Sequence, residues 1–184
     1  MTSRVRARSR RGEGERLRRE ILDKTARLLA KTGDEEAVSI RAVASAVGVT
    51  PPSIYIHFAD KDALIRAACE ETFQLFDAFV EERVAHIADP TQQLAERGRA
   101  YIDFGVRHPE HYRVLFMGKS RATSDDTVTE ASGFDHLIDN VRRCIDAGSI
   151  AAEDPMVVAT GLWTLVHGIT SLAVSVPGYP AVGL

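Results

Sequence analysis

Ser39, Arg41, Thr50, Pro52, Ser53, Tyr55, His57 and Lys61 all fall in one stretch, SIRAVASAVGVTPPSIYIHFADK, running from Ser39 to Lys61. The polar side chains among them suit recognition. An arginine fork can pair with guanine O6 and N7. The hydroxyls of Ser39 and Thr50 can bond a phosphate or serve simply as helix caps. The Lys61 ammonium, with the first-turn N–H groups of the helix it opens, can meet a phosphate. Catalysis finds no comparable support, because the chain has no Gly-rich phosphate loop, no nucleophile elbow and no convincing cysteine–histidine arrangement. No His/Cys/carboxylate cluster has metal-ligand spacing either, so neither a metal nor another cofactor is expected.

Two short helices must position these groups. Ile40, Val43, Ala44 and Val47 recur at helical spacing and line one face. Gly48 follows them, where a helix stop wants a left-handed residue. Thr50 is placed to cap a second helix with Pro51 in its first turn, and Ile54 and Phe58 turn inward one turn apart. The pair reads as a helix-turn-helix, whose second helix, ending in Tyr-Ile-His, is shaped to press into a DNA major groove.

The remaining periodicity is helical throughout. A first helix is expected from about Arg16 to Lys31, and a long fourth helix from Lys61 to the Asp89-Pro90 boundary. Asp89-Pro90, His108-Pro109 and Asp154-Pro155 mark further helix starts. No strand pattern appears. The expected fold is all-α: an N-terminal three-helix bundle over residues 16–66, then a C-terminal helical bundle over 67–184. Residues 1–15, with Arg4, Arg6, Arg8, Arg10 and Arg11 and almost nothing apolar, read as a disordered basic arm. Such an arm can reach a minor groove or remain a solvated tail.

Charge follows the same division. Residues 1–66 carry 14 Lys/Arg against 9 Asp/Glu, and residues 67–184 carry 9 against 17. The basic end suits a polyanion. With 45% hydrophobic residues a substantial core can form. Cys69 and Cys144 match no disulfide framework, and the arginine-rich start lacks a following apolar segment, so a reducing, cytoplasmic setting without a secretory leader is expected. From Pro155 onward the chain has no charge except for His167. Thr160, Thr164, Ser171 and Ser175 interrupt that stretch, and no basic flank follows it. Burial against a second copy of the chain therefore fits better than a membrane span.

Gly48-Val49-Thr50, Ile54-Tyr55-Ile56-His57-Phe58, Lys61 and Leu64 together resemble the DNA-binding region of TetR-family repressors over residues 16–66. Leu162-Trp163-Thr164-Leu165-Val166-His167-Gly168 is similar to the Trp…His-Gly signature of one C-terminal subfamily. The resemblance implies a homodimer on a palindromic double-stranded operator, released when a small molecule enters the C-terminal bundle. It gives Arg41, Pro52, Ser53, Tyr55 and His57 positions at bases or phosphates, although Tyr55 can instead cover the core and His57 cap a helix end. It places Phe76, Tyr101, Phe104, His108, Phe116, Trp163 and His167 on the helices that surround the ligand, where core packing is the competing role. Pro51 falls on a base-reading polar position and cannot donate. The family's usual ninth helix has no counterpart in SVPGYPAVGL. The rival of another class is a helical enzyme or binding protein whose N-terminal bundle is only structural.

Overall fold

The structure, a computed structural model, describes residues 13–116 and 131–179. Among these residues it is helical with no strand, as expected: α1 (Glu13–Thr32), α2 (Ile40–Val47), α3 (Pro51–Tyr55), α4 (Lys61–Val84), α5 (Pro90–Arg107), α6 (Pro109–Phe116), α7 (Ala131–Asp146) and α8 (Pro155–Ser175). A 3-10 turn over Glu35–Ala37, which periodicity did not suggest, links α1 to α2 and is capped by the Asp34 side chain. The first helix begins at Glu13, three residues ahead of the expected start, with Glu13 and Glu15 in its positive first turn. The arginines from Arg4 to Arg11 and the polar segment at residues 118–127 lie outside the described residues.

Local signals explain the boundaries. Ser39, Asp60, Asp89 and Asp154 each accept a hydrogen bond from a first-turn amide of the helix they precede. Gly48 ends α2 at φ 79°, a conformation that costs a β-carbon-bearing residue energy. Thr50 departs from expectation. It stands at the cap position of α3 but makes no side-chain cap bond. The next two residues are prolines, which offer no N–H, and the Ser53 amide is already satisfied by the Thr50 carbonyl. The Thr50 hydroxyl pairs with the Ser53 hydroxyl at 3.0 Å instead.

Two cores follow. Ile21, Leu22, Ile40, Val43, Ile54, Phe58 and Leu64 close the N-terminal bundle. Phe76, Val80, Ala100, Tyr101, Phe104 and Tyr112 fill the C-terminal one. The helices α4 and α6 belong to both. The former donates Leu64 and Ile65 to the first core and Phe76 and Val80 to the second, and the latter donates Val114 to the first and Tyr112 and Leu115 to the second.

The eighth helix is long and apolar enough to cross a membrane, yet it packs along α5 and α7. The bundle covers only one of its sides. Ala159 and Thr170 are buried, whereas Val157, Leu165, Leu172 and Val176 are exposed, with Gly161 open between them. Positions 157, 161, 165, 168, 172 and 176 advance by three or four residues and form one apolar stripe.

Candidate DNA-reading head and effector cavity

The reading head is built by burying Ile54 and Phe58, which fixes the residues between them outward. Tyr55 is 52% exposed and Ile56 80% exposed. Arg41 and Pro52 are exposed, and Ser53 and His57 are half-buried. The His57 ring lies beside the start of α1, 4.0 Å from where a Cβ on Gly14 would stand. The start of α1 therefore lies next to the recognition helix. Ser39 spends its acceptor on the Ala42 amide at 3.2 Å, which leaves the hydroxyl hydrogen for another partner. Lys61 rests 3.5 Å from Glu36, a carboxylate that is 92% exposed, and so weak a surface pair gives way readily. Ile56 escaped the sequence reading. Its signal is the alternation Ile54-x-Ile56-x-Phe58, which leaves the middle residue no place in the core.

In the C-terminal bundle, α4, α5, α7 and α8, with Phe116 at the end of α6, line a half-open cavity of about 780 Å³. Phe76, Tyr101, Phe116 and Trp163 line it, joined by Phe73, Phe134, Leu162 and Val166. Three expected lining residues, Phe104, His108 and His167, lie elsewhere. Phe104 is buried behind Phe76, with ring centroids 5.2 Å apart, so Phe76 stands between it and the space. His108 ends α5 at the bundle's edge, exposed, against Phe104 and His111. His167 sits behind the wall. Its ring stacks on Trp163 at 5.2 Å and 24°, one helical turn away on α8. Its Nδ1 lies 2.9 Å from the Tyr112 hydroxyl and 3.1 Å from that of Tyr101, and the Tyr112 hydroxyl also donates to the His167 carbonyl at 3.2 Å. This network ties α5, α6 and α8 together around the cavity floor.

Burial pushes the Tyr112 phenol up to about 12, opposed by its bond with Tyr101. Folding therefore favours the neutral phenol. Its contribution to stability is complete below the unfolded value near 10 and is lost as pH rises through about 12. Alkaline titration followed by tyrosinate absorbance and circular dichroism is expected to leave one of the four phenols protonated past about pH 11, its ionisation coinciding with helix loss. Complete titration by that pH with the helices intact would contradict this placement.

One polar cluster was invisible in the sequence because its members come from three helices. Asp77 and Glu81 on α4, Arg97 on α5 and His136 on α7 meet beside the cavity. The ligand atoms of Asp77, Glu81 and His136 come within 4.8 Å of one another, a grouping that the expectation of no metal-spaced cluster did not foresee. The Arg97 guanidinium, bonded to Glu81, already sets a cation against this cluster. Cys144 is fully buried, and burial pushes its thiol up, so it is inert packing.

Two family profiles match the chain. One described as bacterial regulatory proteins of the tetR family covers residues 21–68, and one described as the tetracyclin repressor-like C-terminal domain covers residues 94–178. The uncharacterized HTH-type transcriptional regulator YobS of Bacillus subtilis is 29% identical over 149 residues, which is 78% of this chain and 73% of that protein. The structure of apo AibR is 28% identical with a TM-score of 0.69 over 91% of this chain and 90% of that one. AibR in complex with isovaleryl coenzyme A and operator DNA aligns over the same shares at 24% identity and a TM-score of 0.73. A TetR family transcription regulator from Marinobacter aquaeolei VT8, 20% identical, aligns at a TM-score of 0.78 over 92% of this chain and 91% of that one. These likenesses join a helix-turn-helix head to a cavity-bearing bundle in one architecture and set the enzyme alternative aside. The chain belongs to the TetR family of transcriptional regulators.

Proposed function

We propose that the chain is a homodimeric repressor that leaves its operator when a mainly apolar small molecule fills the cavity between α4, α5, α7 and α8. The reading head is residues 16–66, extended by the basic arm, and the sensor is residues 67–184. Ser39, Arg41, Thr50, Pro52, Ser53, Tyr55, His57 and Lys61 face the operator, with Ile56 available for an apolar contact to a thymine methyl. Two copies pair through the exposed stripe of α8, which sets the two recognition helices about one DNA turn apart. An acyl compound is the first effector class to try, because AibR carries isovaleryl coenzyme A. The Trp163–His167 stack and Gly168 support placing the sensor in the Trp-His-Gly subfamily.

The observation that carries this reading is the double membership of α6. Phe116 lines the cavity and Tyr112 bonds His167, while Val114, between them on the same helix, is packed in the core of the reading head. A molecule that displaces Phe116 turns α6 as a unit and moves Val114 against Ile21 and Leu22. The α4 helix, continuous from Lys61 to Val84, carries the same displacement along its length. The effector must bind the released state more tightly, since equal affinity for both states shifts nothing.

Trp163 is the chain's one tryptophan and forms part of the cavity wall, so its emission reports occupancy directly. The expected result is an effector that changes Trp163 fluorescence and, over the same concentration range, abolishes a salt-sensitive gel shift of the gene's upstream region. A specific shift that no fluorescence-active compound reverses would leave a DNA-binding protein without a sensor and defeat the proposal.

A further inference from the structure

We infer that Asp77, Glu81 and His136 form a site for a divalent transition metal, zinc in the first instance, held between α4 and α7. Asp77 lies on the cavity wall, and Glu81 and His136 line the smaller recess next to it. The site does not depend on the cavity's taking an effector.

One helix places two of the three groups. Asp77 and Glu81 are four residues apart on α4, so their carboxylates leave the same face one turn apart. His136 comes to them from α7, with Nδ1 3.1 Å from Glu81 Oε1 and 3.4 Å from Asp77 Oδ1. Ligands arranged tetrahedrally at zinc's usual bond lengths of about 2.0–2.1 Å stand about 3.3–3.4 Å from one another. His136 therefore already holds both carboxylates near a ligand-to-ligand separation. Hydrogen bonding does not account for the arrangement. The His136 Nδ1 is buried and makes no hydrogen bond, although both oxygens are within ion-pair distance. Its in-plane direction meets neither oxygen, which suits a nitrogen that shares a cation with them rather than one that donates to either.

The charge balance leaves room for a further cation. Arg97 is bonded to Glu81 through Nη1, and among the described residues it makes no ion pair with Asp77. With a neutral imidazole, one of the two carboxylate charges is left over. A carboxylate oxygen accepts more than one partner, so Arg97 can hold Glu81 from outside while a metal takes another lone pair, just as the carboxylates of metal sites are themselves hydrogen-bonded. The donor set selects the metal. One imidazole and two carboxylates without a thiolate suit zinc and its first-row neighbours, whereas magnesium and calcium take oxygen donors. Three protein ligands leave a fourth position for water. The side chains of Asp77, Glu81 and His136 are 22%, 35% and 42% exposed, so an ion can reach them from solvent.

Zinc titrated into the metal-stripped full chain, in competition with a chromogenic chelator of micromolar affinity, tests this. The chain is expected to take one zinc from the chelator and to keep it in millimolar magnesium. His136→Ala and Asp77→Asn are each expected to weaken zinc binding at least about tenfold. Circular dichroism of the zinc-free variants checks their fold, and if one fails to fold the other decides. His108 and His111, with ring centroids 5.8 Å apart, are the rival histidines. The double variant His108→Ala, His111→Ala is expected to bind zinc as the parent does. Zinc binding unchanged in His136→Ala or in Asp77→Asn, or lost in the double histidine variant, would overturn the site, as would failure to take zinc from the chelator. None of these outcomes touches the effector reading, which Trp163 emission tests separately.

Discussion

Tyr55→Ala is expected to lower operator affinity on the order of a hundredfold while leaving the melting temperature of the free protein where it was. The side chain is 52% exposed and lies on the outward side of the turn between buried Ile54 and Phe58, so its removal opens no cavity. A hydrogen bond from the phenol to a phosphate, an ionised acceptor, contributes about 1.5–3 kcal/mol. A symmetric dimer makes that contact in both half-sites, which doubles it to at least about 3 kcal/mol, or roughly a factor of one hundred. Tyr55→Phe separates the bond from the ring, and it should lose most of the affinity if the hydroxyl acts. Lys61→Ala provides the contrast. The phenol is neutral and releases no counterion, so Tyr55→Ala leaves the slope of log affinity against log salt unchanged. Loss of Lys61 makes the slope shallower by about two, one charge per half-site. Competition melts and gel shifts over a salt series measure both. An unaltered affinity for Tyr55→Ala would show that the recognition helix does not meet DNA on this side.

The reading head was legible because its determinants are local. Helical spacing from Ile40 to Val47, a glycine at φ 79° and the inward pair Ile54 and Phe58 are all written within 23 residues. Thr50 fails there for an equally local reason, since the prolines after it remove the amides that a cap would serve. The effector cavity was legible only in part. The aromatics on its helices could be named from resemblance, but which of them faces the space depends on how α4, α5, α7 and α8 rotate against one another. Phe76 and Phe104 illustrate this. Both are buried aromatics in the same cluster, yet Phe76 faces the cavity and Phe104 is screened by it. Arg97 escaped notice because in sequence it is one arginine among neighbours in ERGRA. Only the approach of Glu81 from α4 makes it a buried, half-satisfied cation. The eighth helix carries no charge in the sequence apart from His167. The bundle covers one side, and the remaining stripe is the part of the fold that a second copy explains.

The other large effect expected is on stability, from Gly105→Ala. A β-carbon at Gly105 would fall on Thr170 Cγ2, well inside van der Waals contact, and 3.0 Å from Tyr112 Cδ2. Neither neighbour can yield. Thr170 is fully buried and its hydroxyl is bonded to the Val166 carbonyl at 2.7 Å, which fixes its rotamer. Tyr112 is fully buried and held by its bonds to His167. The helices α5 and α8 must therefore separate, and overpacking of this kind costs about 1–3 kcal/mol or more. For a chain of this size the melting temperature should fall by roughly 2–12 °C. Because Trp163 and His167 ride on α8, the same displacement widens the cavity, and effector affinity should fall along with stability. Thr170→Ser supplies the decisive control. It removes the colliding methyl and keeps the hydroxyl bond, so the double variant Gly105→Ala, Thr170→Ser should regain most of the lost stability. Single-variant costs that simply add in the double variant would mean that the α5–α8 approach is not what requires glycine at this position.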